Sequence, residues 1–111
     1  MKHFIFALKG IWIALKEQRN LRLHVLAAVA VVVAASYFRL EAWEWCVLVV
    51  AIGLVITAEL INSAIESLVN LVSPDQHPLA GKVKDIAAGA VLISAICAAF
   101  LGGIVFWGHI F

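Results

Sequence analysis

Glu59, Asn62, Ser63, Glu66 and Asn70 stand in the second half of a strongly apolar stretch of the chain. On a helix advancing 100° per residue they fall within an arc of roughly 100°, one polar face. The two carboxylates, seven residues apart, are separated by about 10 Å along the axis. A charge at the centre of a bilayer costs at least about 2.5–3.5 kcal/mol, so intramembrane acids mark ion, proton or substrate sites. Asn and Ser alone are more often hydrogen-bonding glue between helices; two acids added to the same face point to chemistry. A second polar group follows in residues 69–84, which read as a loop around Pro74 and Pro78, with Asp85 next to Lys84. Asp85 would then sit in the first turn of the following helix, where a carboxylate is favoured. A Lys–Asp pair at a membrane surface is, by itself, usually a solvated helix end. Gly81-Lys82 is no phosphate loop, because the first glycine of G-x-x-x-x-G-K-[ST] and its Ser/Thr are both missing.

The elements that must position these residues follow from composition. Of 111 residues, 65% are hydrophobic and 14% charged, against roughly 45–50% apolar and about 25% charged in soluble domains. That excludes a disordered chain, a nucleic-acid binder and an ordinary soluble enzyme, and predicts an all-α integral membrane protein. A spanning helix needs about 20 apolar residues, and residues 21–38, 43–68 and 86–108 meet that need. Residues 2–17 differ: Phe4, Ile5, Leu8, Ile11, Trp12 and Leu15 recur at helical spacing opposite Lys2, Lys9 and Lys16. That is the pattern of a helix lying in the headgroup plane. Lys2, Lys9, Lys16, Arg19, Arg22, Lys82 and Lys84 flank one side of the spans, and Arg39 alone the other. The imbalance predicts a cytoplasmic N-terminus and second loop with the C-terminus outside, and Trp43, Trp45 and Trp107 fall at the outer interface. A cleaved secretory signal is the competing interpretation of residues 25–36, but its n-region would be too long and two more spans follow. Cys46 and Cys97 make no metal spacing or disulfide framework and read as packing residues. One domain, residues 1–111, is expected.

Glu59-Leu-Ile-Asn62-Ser-Ala-Ile-Glu66, followed by His77-Pro-Leu-Ala-Gly-Lys-Val-Lys84-Asp85-Ile-Ala-Ala-Gly-Ala-Val-Leu92, resembles the bacterial diacylglycerol kinase family, which includes undecaprenol kinases. The likeness covers nearly the whole chain, with a matching segment at Gln18-Arg-Asn-Leu-Arg-Leu-His24. The resemblance implies a homotrimeric helical bundle with composite sites, in the bacterial inner membrane. It also implies ATP-dependent phosphorylation of a lipid hydroxyl, diacylglycerol or undecaprenol, at the cytoplasmic face. By motif position Glu59 looks like the general base, which needs a carboxylate within hydrogen-bond reach of the alcohol. Asn62 and Ser63 stand beside it at the lipid substrate, with Asn62 orienting Glu59 or the lipid. Glu66 looks like a ligand of Mg²⁺, which takes hard oxygens, and Lys84 would neutralise phosphate charge. Asp75, Gln76, His77, Asp85 and Gln18 complete the implied nucleotide contacts.

Three positions depart from the family pattern. Gln18 replaces a second metal-binding Glu, so metal binding should weaken unless the adjacent Glu17 substitutes. Asn70 stands where many members carry Asp, and Gln76 where they carry an aromatic residue. The Gln18-Arg-Asn-x-x-x-His24 segment is similar to that of the undecaprenol branch. Two other classes fit the intramembrane acids: a small ion-coupled transporter using Glu59 and Glu66, and a non-catalytic assembly subunit. Against transport, the acids cluster at one end and no polar path continues through the third span.

Overall fold

The computed structural model describes residues 2–111, and its elements are four helices: α1 (Lys2–Glu17), α2 (Arg19–Phe38), α3 (Ala42–Val72) and α4 (Pro78–Ile110). The last three are long and apolar enough to cross a membrane. With 31 and 33 residues, α3 and α4 are about 46 and 50 Å long. That exceeds a hydrocarbon core of roughly 30 Å, so their ends extend beyond it.

Each junction has a local cause. The backbone leaves the helical region at Gln18 (φ −107°, ψ 110°), which ends α1 and starts α2. Arg22 then reaches back, its Nη1 donating to the carbonyls of Leu15 and Lys16 at 2.8 and 2.9 Å. A helix end leaves carbonyls without intrahelical partners, and here one guanidinium serves two of them, tying the angle between α1 and α2. Arg39 closes α2 in the left-handed region (φ 56°). Glu41 and Glu44 form a reciprocal capping box at the start of α3, serving amides that α3 cannot.

α3 and α4 make an antiparallel hairpin held at both ends. At one end His109 Nε2 lies 2.8 Å from Glu44 Oε2 and 2.9 Å from its Oε1. At the other, Lys84 Nζ donates to Asn70 Oδ1 at 2.6 Å. The residues between these two contacts match nearly one for one, so the register holds along the hairpin. The best-packed apolar cluster (Ala35, Leu40, Leu48 and Val105, with Phe38 and Phe106 against it) lies toward the His109 end. Toward the opposite end, where the α1–α2 junction lies against residues 60–67 of α3 and α3 turns into α4, stand Glu59, Asn62, Ser63, Glu66, Asn70 and Lys84.

Two boundaries differ from the sequence expectation. The turn is residues 73–77 only, because α3 continues to Val72 and α4 begins at Pro78 rather than near residue 86. Hydropathy marks where lipid begins, not where a helix begins. Pro78 occupies the first turn, where its missing N–H costs nothing, and His77 caps it: Nδ1 accepts from the Leu79 amide at 3.1 Å. Lys84 and Asp85 are therefore residues of α4 well past its first turn. Cys46 and Cys97 also depart from expectation. Both are exposed on outward helix faces rather than packed within the chain.

Candidate functional site

The buried residues of α3 are Glu44, Leu48, Ala51, Val55, Glu59, Asn62 and Ser63. They form one stripe at spacings of three and four, apolar in the middle and polar from Glu59 onward. The same face that packs the helix thus carries the acids inward. Glu59 is 3% exposed. Its Oε1 lies 3.4 Å from His24 Nε2 of α2, a partner that sequence reasoning did not assign. The signal for it was present in the 18–24 segment, but a contact between two helices is invisible to periodicity. Ser63 Oγ donates to the Glu59 carbonyl at 2.9 Å, within α3 itself. Asn62 directs its Nδ2 to Glu66 Oε1 at 3.4 Å, toward Glu66 and not Glu59. Its Oδ1 is buried without a hydrogen-bond partner in the chain. A buried amide oxygen left unpaired costs about 1–3 kcal/mol, and such groups recur where a ligand or ion completes the set.

One turn beyond Glu66, Asn70 receives Lys84. The two border an open cavity of about 580 Å³, lined also by Ser73, Asp75, Gln76 and His77. That volume lies in the range of small-molecule sites. Ser73 Oγ donates to the Asp75 carbonyl at 3.0 Å and shapes the turn. With Nδ1 of His77 engaged in the cap, its Nε2 is the ring nitrogen left for a ligand. The implied nucleotide residues Asp75, Gln76, His77 and Lys84 therefore meet in one place.

The others do not meet there. Asp85 is exposed, since neighbours on a helix diverge by 100° and Lys84 has taken the face toward Asn70. Gln18 and Glu17 line a separate groove of about 450 Å³ against Ser63 and Ser67 of α3, and Glu66 is not part of its wall. Among the described residues no three of His, Cys, Asp and Glu gather as a metal cluster. Glu66 itself nonetheless offers hard carboxylate oxygens, and Mg²⁺ keeps several waters and substrate phosphates among its ligands. One carboxylate among these ligands fits such an ion.

What the fold defines is a helical membrane protein with Glu59, Asn62, Glu66, Asn70 and Lys84 gathered toward one end of the bundle. Residues 5–106 match the family described as prokaryotic diacylglycerol kinase, and the chain belongs to that family. It is 38% identical over 105 residues to the undecaprenol kinase of Bacillus subtilis, covering 95% of this chain and 85% of that protein. Identity to a Synechocystis diacylglycerol kinase is 46% over 101 residues, 90% of this chain but 58% of that longer protein. Identity to the Escherichia coli K12 diacylglycerol kinase is 32% over 104 residues, 94% and 85% of the two chains. The protein is a lipid kinase of bacterial membranes, which sets aside the transporter and the assembly subunit.

Proposed function

We propose that the chain transfers the γ-phosphate of ATP to the hydroxyl of a membrane lipid, diacylglycerol or undecaprenol, at the cytoplasmic face. One observation carries this assignment: polar groups step along α3 from the turn into the bundle. Asn70 with Lys84 comes first, then Glu66 with Asn62, then Glu59. By helical rise the steps are about 6 and 10 Å, so a nucleotide in the turn cavity points its phosphates toward Glu66 and a lipid headgroup meets Glu59.

In that arrangement Glu59 is the general base. Its carboxylate accepts the hydroxyl proton while the lipid oxygen bonds the γ-phosphorus and the bond to the β–γ bridging oxygen breaks, releasing ADP. Asn62 and Ser63 bound the lipid hydroxyl's site, and Asn62 also fixes the Glu66 carboxylate. Lys84 places positive charge on the phosphates, and Asp75, Gln76 and His77 hold the nucleotide in the turn. Phosphoryl transfer is mostly positioning and charge stabilisation, and these residues supply both. Glu66 would hold Mg²⁺, a hard cation that takes oxygen ligands and would supply positive charge at the phosphates, with Gln18 or Glu17 as further oxygen donors.

Asp85 and Gln18 lie off the cavity of their own chain. A homotrimer, in which Asp85 and the α1–α2 junction of one copy complete the site of another, gives both a place. The basic flanks favour a cytoplasmic side for the site, the N-terminus and the α3–α4 turn, and the apolar stripe of residues 2–17 favours the headgroup plane for α1. The test is transfer of labelled γ-phosphate from MgATP to diacylglycerol and undecaprenol offered side by side in mixed micelles. The 18–24 segment favours undecaprenol as the better acceptor. Absence of product with both lipids, from folded protein at millimolar Mg²⁺, contradicts the assignment.

A further inference from the structure

A general base as buried as Glu59 holds a proton after each turnover and must lose it before the next. We infer that His24 is the positioning residue of Glu59 and the outlet for that proton; the inference rests on Glu59 being the base. Four observations support it. His24 Nε2 is 3.4 Å from Glu59 Oε1, and the imidazole is 30% exposed where the carboxylate is 4% exposed. Among the described residues, His24 is the one basic side chain within 4.0 Å of that carboxylate.

The other cations at this end are occupied or distant. Arg22 of α2 binds the Leu15 and Lys16 carbonyls, and Lys84 of α4 binds Asn70. Lys2, Lys9 and Lys16 of α1, Arg19 of α2 and Lys82 of α4 are exposed and make no contact with Glu59. The anions at this end of the packed elements are Glu66 of α3, Glu17 of α1 and Asp85 of α4, with Asp75 in the turn; Glu44 of α3 is at the other end, against His109. Glu66 is engaged by Asn62, and Glu17 and Asp85 are exposed. Finally, His24 borders a crevice of about 260 Å³ otherwise lined by Ala, Val, Leu, Ile and Gly. With apolar groups around it there, the imidazole finds its ionisable partner in Glu59.

The 3.4 Å contact is longer than a charge-assisted hydrogen bond of about 2.7–2.9 Å, and such contacts tighten when substrate fills a site. The step balances simply. Protonated Glu59 donates from its carboxyl oxygen to Nε2 of neutral His24, which gives up its Nδ1 proton to water; the carboxylate is restored, and exchange of the ring proton from Nε2 back to Nδ1 through solvent resets the tautomer for the next turnover. An imidazole that already carries protons on both nitrogens cannot accept from Glu59, so the relay needs the neutral ring.

The test is steady-state transfer to lipid by the full chain in mixed micelles, from about pH 5.5 to 8.5, the range in which imidazoles change charge. Wild-type kcat should fall toward acid. H24Q should lower kcat by about 10- to 100-fold, a fraction of what acid–base groups contribute, leave the KM for MgATP within about twofold, and remove the acid limb. Free imidazole should return at least about fivefold to H24A. A wild-type kcat flat across the acid half overturns the inference, and so does H24Q with wild-type kcat and profile. So does a loss matched by an equal rise in KM without imidazole rescue, the mark of a merely structural histidine. E59Q run in parallel separates the two claims: an active E59Q overturns the base itself, whereas an inactive E59Q beside a wild-type-like H24Q overturns the His24 role alone.

Discussion

At Lys84 the partner matters as much as the charge. Asn70 accepts from the ammonium at 2.6 Å and orients it without neutralising it, where the family's more usual Asp would form an ion pair. Replacement by N70A should free the lysine to rotate over the cavity. The expected result is a KM for MgATP raised about five- to tenfold, roughly 1 kcal/mol of lost positioning, with kcat changed less. K84A should reduce kcat/KM by at least about 100-fold, because the phosphate that Lys84 is proposed to face would then lack its counter-charge. Steady-state kinetics on the two variants measures both. The alignment of Glu59, Asn62, Ser63 and Glu66 on one face was readable from spacing alone, since the 3.6-residue period is intrinsic to the chain. The Glu59–His24, Asn62–Glu66 and Lys84–Asn70 pairings were not, because the first and last depend on how helices pack and the second on a side-chain rotamer.

At the scale of the element, Arg22 is the side chain that couples α1 to α2. R22A leaves the Leu15 and Lys16 carbonyls to water and loosens the last turn of α1. Amide hydrogen exchange in residues 14–18 should quicken by about fivefold, the equivalent of roughly 1 kcal/mol of local opening, while exchange within α3 stays unchanged. Equal acceleration across α3 would contradict a role confined to the junction. The helices themselves follow closely from hydropathy and periodicity. The start of α4 does not, because residues 78–85 are polar enough to resemble a loop while Pro78 and the His77 cap already commit them to a helix. That shift carries Lys84 and Asp85 onto a helix, where their 100° separation makes them serve different sides.

At the scale of the whole molecule, large apolar side chains cover the outer faces, Phe4, Trp12, Leu26, Val50, Ile93 and Phe100 among them. Lipid or further copies of the chain must cover them, since water strongly disfavours so much apolar surface. One chain brings Lys84 and the turn together but leaves Asp85 exposed and Gln18 in another groove. If sites are composite in a trimer, E59Q and D85N, each nearly inactive alone, should recover activity when denatured together and reassembled. In a random mixture about a quarter of sites hold both native residues, by chance of assembly alone. No recovery over either parent would place Glu59 and Asp85 of one chain in the same site. The sequence could suggest shared sites only through the shortage of enclosing helices, and stoichiometry is absent from it altogether.

The central claim is that Glu59 takes the proton of a lipid hydroxyl during phosphoryl transfer, and a paired measurement on E59Q tests it most directly. Labelled-phosphate transfer from MgATP to undecaprenol and diacylglycerol would be followed beside MgATP binding, with wild type as reference. The account predicts turnover reduced by at least about 100-fold, as for loss of a general base, with MgATP affinity within about twofold because the turn cavity proposed for the nucleotide excludes Glu59. E59Q that phosphorylates either lipid at the wild-type rate contradicts it.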